Sequence, residues 1–88
     1  MPVIKNIHSW EVVFRKDVRK ISNGWTVRES PRSKKIMLKV SGQSVTLPFA
    51  WNELNSGDAY VRIRNIYNLT LEGHDLKTAA DIAAGNAP

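Results

Sequence analysis

Apolar and polar residues alternate along "IMLKVSGQSVTL", residues 36–47. Alternation with a period of two is typical of a β-strand, because successive side chains point to opposite faces of the sheet. Gly42 and Gln43 fit the central positions of a two-residue type II′ turn. The register that follows pairs Ser41 with Ser44, Val40 with Val45, Lys39 with Thr46, and Leu38 with Leu47. One face of the predicted hairpin is then apolar (Ile36, Leu38, Val40, Val45, Leu47), and the other carries Met37, Lys39, Ser41, Ser44 and Thr46.

A further strand and a polar turn precede this hairpin. "WTVRES", residues 25–30, alternates and is rich in residues that favour strands, while "SPRSK", residues 30–34, contains Pro and two bases. Residues 35–41 then form the second strand. Pro48 either ends regular pairing or lies in an edge strand, because proline has no N–H to donate. The pattern predicts a three-stranded antiparallel sheet.

Two patterns fit residues 9–21, "SWEVVFRKDVRKI". Trp10, Phe14 and Val18 share one face of a helix for which Ser9 can be the N-cap. Trp10, Val12 and Phe14 also alternate as in a strand. We favour the helix, with the strand as the alternative.

A long helix is predicted at residues 55–72. Asn55 or Ser56 can act as its N-cap, Asp58 adds negative charge to the first turn, and Gly73 suits the C′ position. Its apolar stripe should cover the apolar face of the sheet. The stripe consists of Ala59, Tyr60, Ile63, Ile66 and Tyr67. A short helix follows at 75–85. The fold class is therefore α+β: a three-stranded antiparallel sheet packed on one face by a C-terminal helix, with a possible short N-terminal helix and a short final helix.

The 88 residues suffice for one small domain. We expect a basic N-terminal segment at 1–22, of which 1–8 form a mobile tail. The sheet and helix occupy 23–73, and 74–88 form a short helix and a linker toward an absent downstream domain. No apolar run is long enough for a membrane span, so no membrane partner is expected. The absence of cysteine fits a reducing cytoplasm.

The net charge of +5 is distributed unevenly. Residues 1–40 contain ten Lys and Arg against three acids, a balance of +7, whereas residues 41–88 contain three bases against five acids, a balance of −2. A basic half suggests a polyanionic partner, although an ordinary basic surface is the alternative.

Catalytic chemistry is not indicated. His8 and His74 are isolated and have no metal-ligand spacing, and no phosphate loop or catalytic triad is recognisable. We expect no enzyme activity, no cofactor and no small-molecule substrate. The three tryptophans (Trp10, Trp25, Trp51) are expected at the edges of the core.

The polar sheet face is the strongest candidate for a binding site. It is positive, and the major groove of B-DNA admits strands, where Arg, Lys, Ser and Thr can contact bases or phosphates. An ordinary solvated sheet face is the alternative. The face and its hairpin turn comprise Thr26, Arg28, Met37, Lys39, Ser41, Gln43, Ser44 and Thr46, and the bases near the first turn are Arg32, Lys34 and Lys35.

The stretch "GWTVRES…KKIMLKVSGQSVTLPFAWNELNSGDAYVRIRNIYNLTLEGHDLKTA" resembles the N-terminal arm-type DNA-binding domain of phage and genomic-island integrases, the tyrosine recombinases. The likeness lies in a Gly-led strand, a basic turn, two further strands, an "LP-aromatic-x-W" bend, and a helix followed by "EG". It covers about residues 23–80.

The resemblance implies a role in site-specific recombination for phages or other mobile elements. The sheet would enter the major groove of arm sites in attachment-site DNA, and Arg32, Lys34 and Lys35 would bind phosphates. The tail before Asn23 would follow the DNA. The parent integrase would carry its catalytic residues in a separate domain, meet other integrase protomers, and work in a prokaryotic cytoplasm at the nucleoid.

Two alternatives remain open. If residues 9–21 are helical, the order α-β-β-β-α matches double-stranded-RNA-binding domains, which read A-form shape through helices and loops. Met37 and the Ser/Thr-rich strand edge could instead serve a protein partner or oligomerisation. The steepness of the salt dependence of binding would separate nucleic acid from protein.

Overall fold

The computed structural model describes residues 9–85, which form an α+β fold in the order α-β-β-β-α-α. The helices are α1 (Trp10–Ile21), α2 (Glu53–Leu71) and α3 (Leu76–Ala83), and the strands are β1 (Trp25–Glu29), β2 (Lys35–Val40) and β3 (Gln43–Ala50). The strands form one antiparallel sheet in the order β1-β2-β3. The predicted fold class is confirmed.

Residues 10–21 form a helix, so the helical pattern prevails over the strand pattern. The side chain of Ser9 accepts a hydrogen bond of 3.3 Å from the backbone N–H of Val12, as expected of an N-cap. Phe14 and Val18 are buried, and α1 packs against both β1 and α2. The helix therefore belongs to the folded domain. Residues 10–21 are therefore not part of the tail expected to follow the DNA, and residues 1–8 lie outside the described residues.

Helix α2 begins at Glu53, two residues before the predicted start, and its N-cap is Asn52 rather than Asn55 or Ser56. Asn52 accepts a hydrogen bond of 3.1 Å from the Asn55 N–H. The side chain of Asn55 instead donates to the carbonyl of Ala50, and Ser56 donates to the carbonyl of Glu53. The prediction failed because several neighbouring residues were chemically able to cap the helix.

Helix α3 follows α2 after a short turn. Gly73 has φ +107°, the left-handed conformation expected of a C′ glycine. Asp75 is the N-cap of α3 and accepts a hydrogen bond of 2.8 Å from the Thr78 N–H. The helix ends at Ala83, just before Gly85, while the predicted linker residues 86–88 lie outside the described residues.

All three helices cover the same face of the sheet, whereas the sequence had assigned that cover to the long helix alone. Helix α1 packs on β1, α3 packs on β3, and α2 contacts β3 and both other helices. Full burial of a large apolar side chain is worth about 1.5–3 kcal/mol. The buried apolar side chains are Phe14, Val18, Trp25, Val27, Ile36, Leu38, Leu47, Ala59, Ile63, Ile66, Leu76 and Ala79.

The tryptophans pack at the core as predicted. Trp25 is buried and meets the ring of Tyr67 edge-on at 5.3 Å between centroids. Trp10 and Trp51 are half-buried, pack against the core, and lie 5.0 Å apart. Aromatic pairs at these distances add to the stabilisation from area burial. All three rings therefore contribute to the packing of the fold.

The hairpin register differs from the predicted one by two residues. Ser41 and Gly42 are the turn residues, with φ +45° and +85°, so the turn is of type I′ rather than II′. A two-residue slip keeps every side chain on its original face, so alternation could not decide between the registers. The observed pairs are Val40 with Gln43, Lys39 with Ser44, Leu38 with Val45, and Met37 with Thr46.

Pro48 lies in β3, which is an edge strand. An edge strand is one of the two placements predicted for this proline. Beyond the pair of Met37 with Thr46, the next pair joins Lys35 to Ala50. Three residues of β3, from Leu47 to Phe49, thus lie opposite the single residue Ile36. This irregularity includes the proline and removes it from the regular ladder.

Candidate nucleic-acid interface

The sheet face turned away from the helices is named here the open sheet face. Its side chains belong to alternate positions of the three strands, opposite in parity to the buried residues Val27, Leu38 and Leu47. Three of its members are cations, and none is an acid. The open sheet face consists of Thr26, Arg28, Lys35, Met37, Lys39, Ser44 and Thr46.

The strand register arranges six of these side chains in two rows across the sheet. Lys39 lies between Thr26 and Ser44 in one row, and Met37 lies between Arg28 and Thr46 in the other. Directly opposite residues have Cβ atoms about 4.5–5.5 Å apart, and diagonal neighbours are about 7–8 Å apart. Lys39 is therefore a diagonal neighbour of both Arg28 and Thr46. The prediction that Lys39 and Thr46 lie side by side is wrong.

Exposure varies across the open sheet face. Met37 and Lys39 on the central strand are half-buried, because strands flank them on both sides. Arg28 on β1 and Thr46 on β3 are exposed. The face thus has an apolar centre at Met37, which is surrounded by cationic and hydroxyl-bearing side chains.

The turn between β1 and β2 is held in place by backbone hydrogen bonds. The N–H of Lys34 donates to the Ser30 carbonyl at 2.9 Å, and the Lys34 carbonyl accepts from the Trp51 N–H at 3.0 Å. Ser30 itself is buried. These bonds fix Lys34 at φ +60°, a conformation that residues other than glycine seldom adopt. Arg32 and Lys34 are exposed on this turn, beside the ends of the strands that carry Arg28 and Lys35.

Lys35 belongs to the second strand, as the predicted range 35–41 has it, and not to the turn before it. It is the first residue of β2 and shares the face of Met37 and Lys39. Because its side chain follows the same alternation, it extends the open sheet face toward the turn.

Two of the predicted DNA-binding residues lie away from the open sheet face. Ser41 is in the type I′ turn. Gln43 has the parity of Val45, on the helix side, and lines a cleft with Asp75 and Leu76. Gln43 is the second central residue of the predicted turn, whereas the observed turn lies one residue earlier and makes Gln43 a strand residue.

A second group of cations lies around the free edge of β3. Arg62 of α2 and Lys77 of α3 line a groove with a volume of about 530 Å³ that also includes Lys35 and Thr46 of the open sheet face. No binding role is predicted for either residue from the sequence. Their convergence depends on the packing of α3 against β3, for which the chain carries no local signal.

Residues 9–85 contain no group of three or more His, Cys, Asp or Glu side chains arranged to hold a metal ion. His74 is half-buried next to the start of α3, and His8 lies outside the described residues. Within the same range, no helix is both long enough and apolar enough to cross a membrane.

Comparison of the chain with protein-family models, with curated proteins and with solved structures finds no match. The geometry and chemistry of the open sheet face, together with the resemblance to integrase arm domains, are therefore the indications of function.

Proposed function

We propose that the protein binds double-stranded DNA with the open sheet face in the major groove. The observation that carries this proposal is the pair of cross-strand rows, in which cations and hydroxyl groups surround Met37 with no acid among them. Covering the opposite face with three helices leaves this face available for a partner.

The dimensions of the sheet support the proposal. Neighbouring strands lie about 4.7–4.9 Å apart, so the axes of β1 and β3 are roughly 10 Å apart. The major groove of B-DNA is about 12 Å wide. A three-stranded sheet therefore has about the width of the groove, and its outward side chains can meet base edges while its borders approach the phosphates.

The side chains of the two rows suit base contacts. An arginine such as Arg28 can donate two hydrogen bonds to guanine, and an apolar group such as Met37 can contact the methyl group of thymine. Lys39 and the hydroxyl groups of Ser44 and Thr46 can serve bases or phosphates. Arg32 and Lys34, which are exposed on the turn between β1 and β2, can contact phosphates at one end of the sheet.

The resemblance to integrase arm domains extends the proposal. On that basis the chain is a non-catalytic domain that binds arm sites of attachment-site DNA during recombination and integration. Other integrase protomers are its partners through the parent protein. It needs no cofactor or small-molecule substrate, and it acts at the nucleoid in the cytoplasm of a prokaryotic host.

Double-stranded RNA is the second candidate ligand, because α1 gives the order α-β-β-β-α of RNA-binding modules. Such modules read A-form RNA through helices and loops. Here the first turn of α2 carries Glu53 and no base, while the open sheet face carries Arg28, Lys35 and Lys39. The acidic first turn of α2 therefore disfavours RNA at that end of the helix, although α1 carries four bases, Arg15, Lys16, Arg19 and Lys20. We therefore place DNA on the sheet face, which carries no acid, and keep RNA as the alternative that the titration below tests.

An NMR titration tests the proposal. The ¹⁵N-labelled protein is titrated with a mixed-sequence DNA duplex about two helical turns long, and then with an A-form RNA duplex of the same length. We expect the largest shifts at the amides of Thr26, Arg28, Met37 and Lys39 with DNA. Shifts confined to the helices, or stronger binding of the RNA, would contradict the proposal.

The same complex is examined at increasing salt. Each phosphate that a cation neutralises contributes about 0.9 to the slope of log affinity against log salt. A steep slope is expected for the DNA complex. A partner that binds the sheet with no salt dependence would indicate a protein-interaction domain instead.

A further inference from the structure

The groove at the free edge of β3 connects the open sheet face to the helical side of the molecule. Lys35 and Thr46 line it on the sheet side, and Arg62 and Lys77 line it on the helical side. Asp81 is the one acid among its lining residues, which leaves a balance of +2 from three cations and one acid. Small side chains, Ser44 and Ala84 among them, also line the groove.

Arg62 is held in the groove by an aromatic ring. Its guanidinium carbon lies 5.2 Å from the ring centroid of Phe49, a cation–π contact. Phe49 is half-buried at the end of the β3 irregularity. Because the stacked guanidinium is already ordered, it loses less side-chain entropy when it binds an anion. Lys77 is exposed on α3 and lines the same groove, so it adds a second positive charge to it.

We propose that this groove holds one phosphate backbone of the duplex whose base edges meet the open sheet face. Arg62 and Lys77 are then phosphate-binding residues, and Lys35 joins the groove to the sheet. The inference rests on the proposed function, since it assigns the phosphate backbone of one DNA strand to a site beside the face that is proposed to read the bases.

The width of the sheet explains why a phosphate backbone should lie there. With the sheet in a groove about 12 Å wide, the outer strands lie next to the walls of the groove, which are the two phosphate backbones. The β3 edge therefore meets one of these walls. Cations at this edge can neutralise the phosphate charge, and the hydroxyl groups of Ser44 and Thr46 can donate hydrogen bonds to phosphate oxygens.

Salt titration of the wild-type protein and Lys77→Gln tests the inference, with the mixed-sequence duplex as the probe and fluorescence anisotropy as the readout. Loss of one phosphate contact should lower the salt slope by about 0.9. The wild type should then lose about 3.5-fold more affinity than Lys77→Gln when the salt concentration rises fourfold. The effect should be the same on duplexes of different sequence, because phosphates carry no sequence information.

Arg62→Gln provides the second variant and Arg64→Gln the matched control. Arg64 lies on the other flank of α2, near Lys20 and Ile21 of α1, so its loss should leave the slope unchanged. Asp81→Asn removes the one acid from the groove and should raise affinity for the duplex. Circular dichroism of each variant reports whether the fold is intact.

The outcomes separate this inference from the proposed function. Wild-type slopes for both Lys77→Gln and Arg62→Gln, with weakened binding by Lys39→Ala, would overturn the phosphate site and leave the sheet-face proposal intact. Reduced slopes for the groove variants with no effect of Lys39→Ala would support the phosphate site and overturn base reading by the sheet. A wild-type protein that binds no duplex would overturn both.

Discussion

Trp51 Nε1–H donates a hydrogen bond of 2.9 Å to Glu11 Oε2. The donor lies just after β3 and the acceptor in the first turn of α1, so one contact joins segments 40 positions apart in the chain. The guanidinium of Arg15 also lies 5.3 Å from the Trp51 ring, and its Nε donates to the carbonyl of Val27 on β1. Trp51 and Arg15 together attach α1 to the end of the sheet.

Trp51→Phe should lower the free energy of unfolding by about 2 kcal/mol. The substitution removes the donor to a partly buried carboxylate, and hydrogen bonds to charged groups contribute about 1.5–3 kcal/mol. Urea denaturation followed by circular dichroism measures the change. Glu11→Gln is the matched control, because the amide oxygen can still accept the bond and the loss should be under about 1 kcal/mol. An unchanged urea midpoint for Trp51→Phe would show that the bond contributes nothing.

Local periodicity predicted which residues face the core but not how strands and helices meet. The face assignments of Leu38, Lys39 and Val45 follow from alternation alone, and the structure confirms them. The choice between helix and strand for residues 10–21 depends on tertiary packing, because the helix buries Phe14 and Val18 against neighbouring elements. Short amphipathic segments contain too little information to make that choice in isolation.

Ser41→Asn should stabilise the hairpin by about 0.5 kcal/mol. Ser41 has φ +45° in a type I′ turn, where Asn followed by Gly is strongly favoured. Thermal unfolding measures the gain. Gly42→Ala is the destabilising counterpart, at roughly 1–2 kcal/mol, because φ +85° is strained for a residue with a Cβ atom. A higher melting temperature for Gly42→Ala would contradict the observed turn type.

Arg28→Ala and Lys39→Ala should each weaken duplex DNA binding, by about 1–3 kcal/mol if they contact bases, without unfolding the domain. Both side chains lie outside the core, so thermal stability should change little. Isothermal titration with a duplex selected from a random library measures the affinity. Arg64→Ala removes the same charge on the helical side and serves as the control. Wild-type affinity in both variants would rule out the sheet-face contact.

The stability contributed by Asp75 should be lost at acid pH. Hydrogen bonds from the Thr78 side chain and backbone lower the pKa of Asp75 below its ordinary value of 3.8. The unfolded chain therefore binds this proton before the folded chain does as the pH falls. The contribution is present above pH 3.8 and disappears as the pH falls through the lower folded-state pKa.

Asp75→Asn isolates this titration, because asparagine caps a helix about as well as aspartate but carries no proton to titrate. Melting temperatures measured across the acid range should fall less steeply for Asp75→Asn than for the wild type. Parallel curves for the two proteins would mean that the cap does not respond to pH.

The candidate site was predictable only where it follows strand alternation. Thr26, Arg28, Met37 and Lys39 were placed outward correctly, because their parity is independent of register. Gln43 was misplaced because its position depends on the turn type. The groove containing Arg62 and Lys77 arises from three elements distant in sequence, and no local pattern marks such a convergence.

The type I′ turn at Ser41 and Gly42 sets which side chains of the open sheet face lie opposite one another, whereas the core does not depend on that choice. A slip of two residues would leave the buried set unchanged, yet it would place Lys39 opposite Thr46 instead of Ser44. The pattern of outward groups could thus be rewritten by exchanging the turn alone, with the same core retained. Turn chemistry therefore controls which outward side chains lie next to one another on the face proposed to bind DNA.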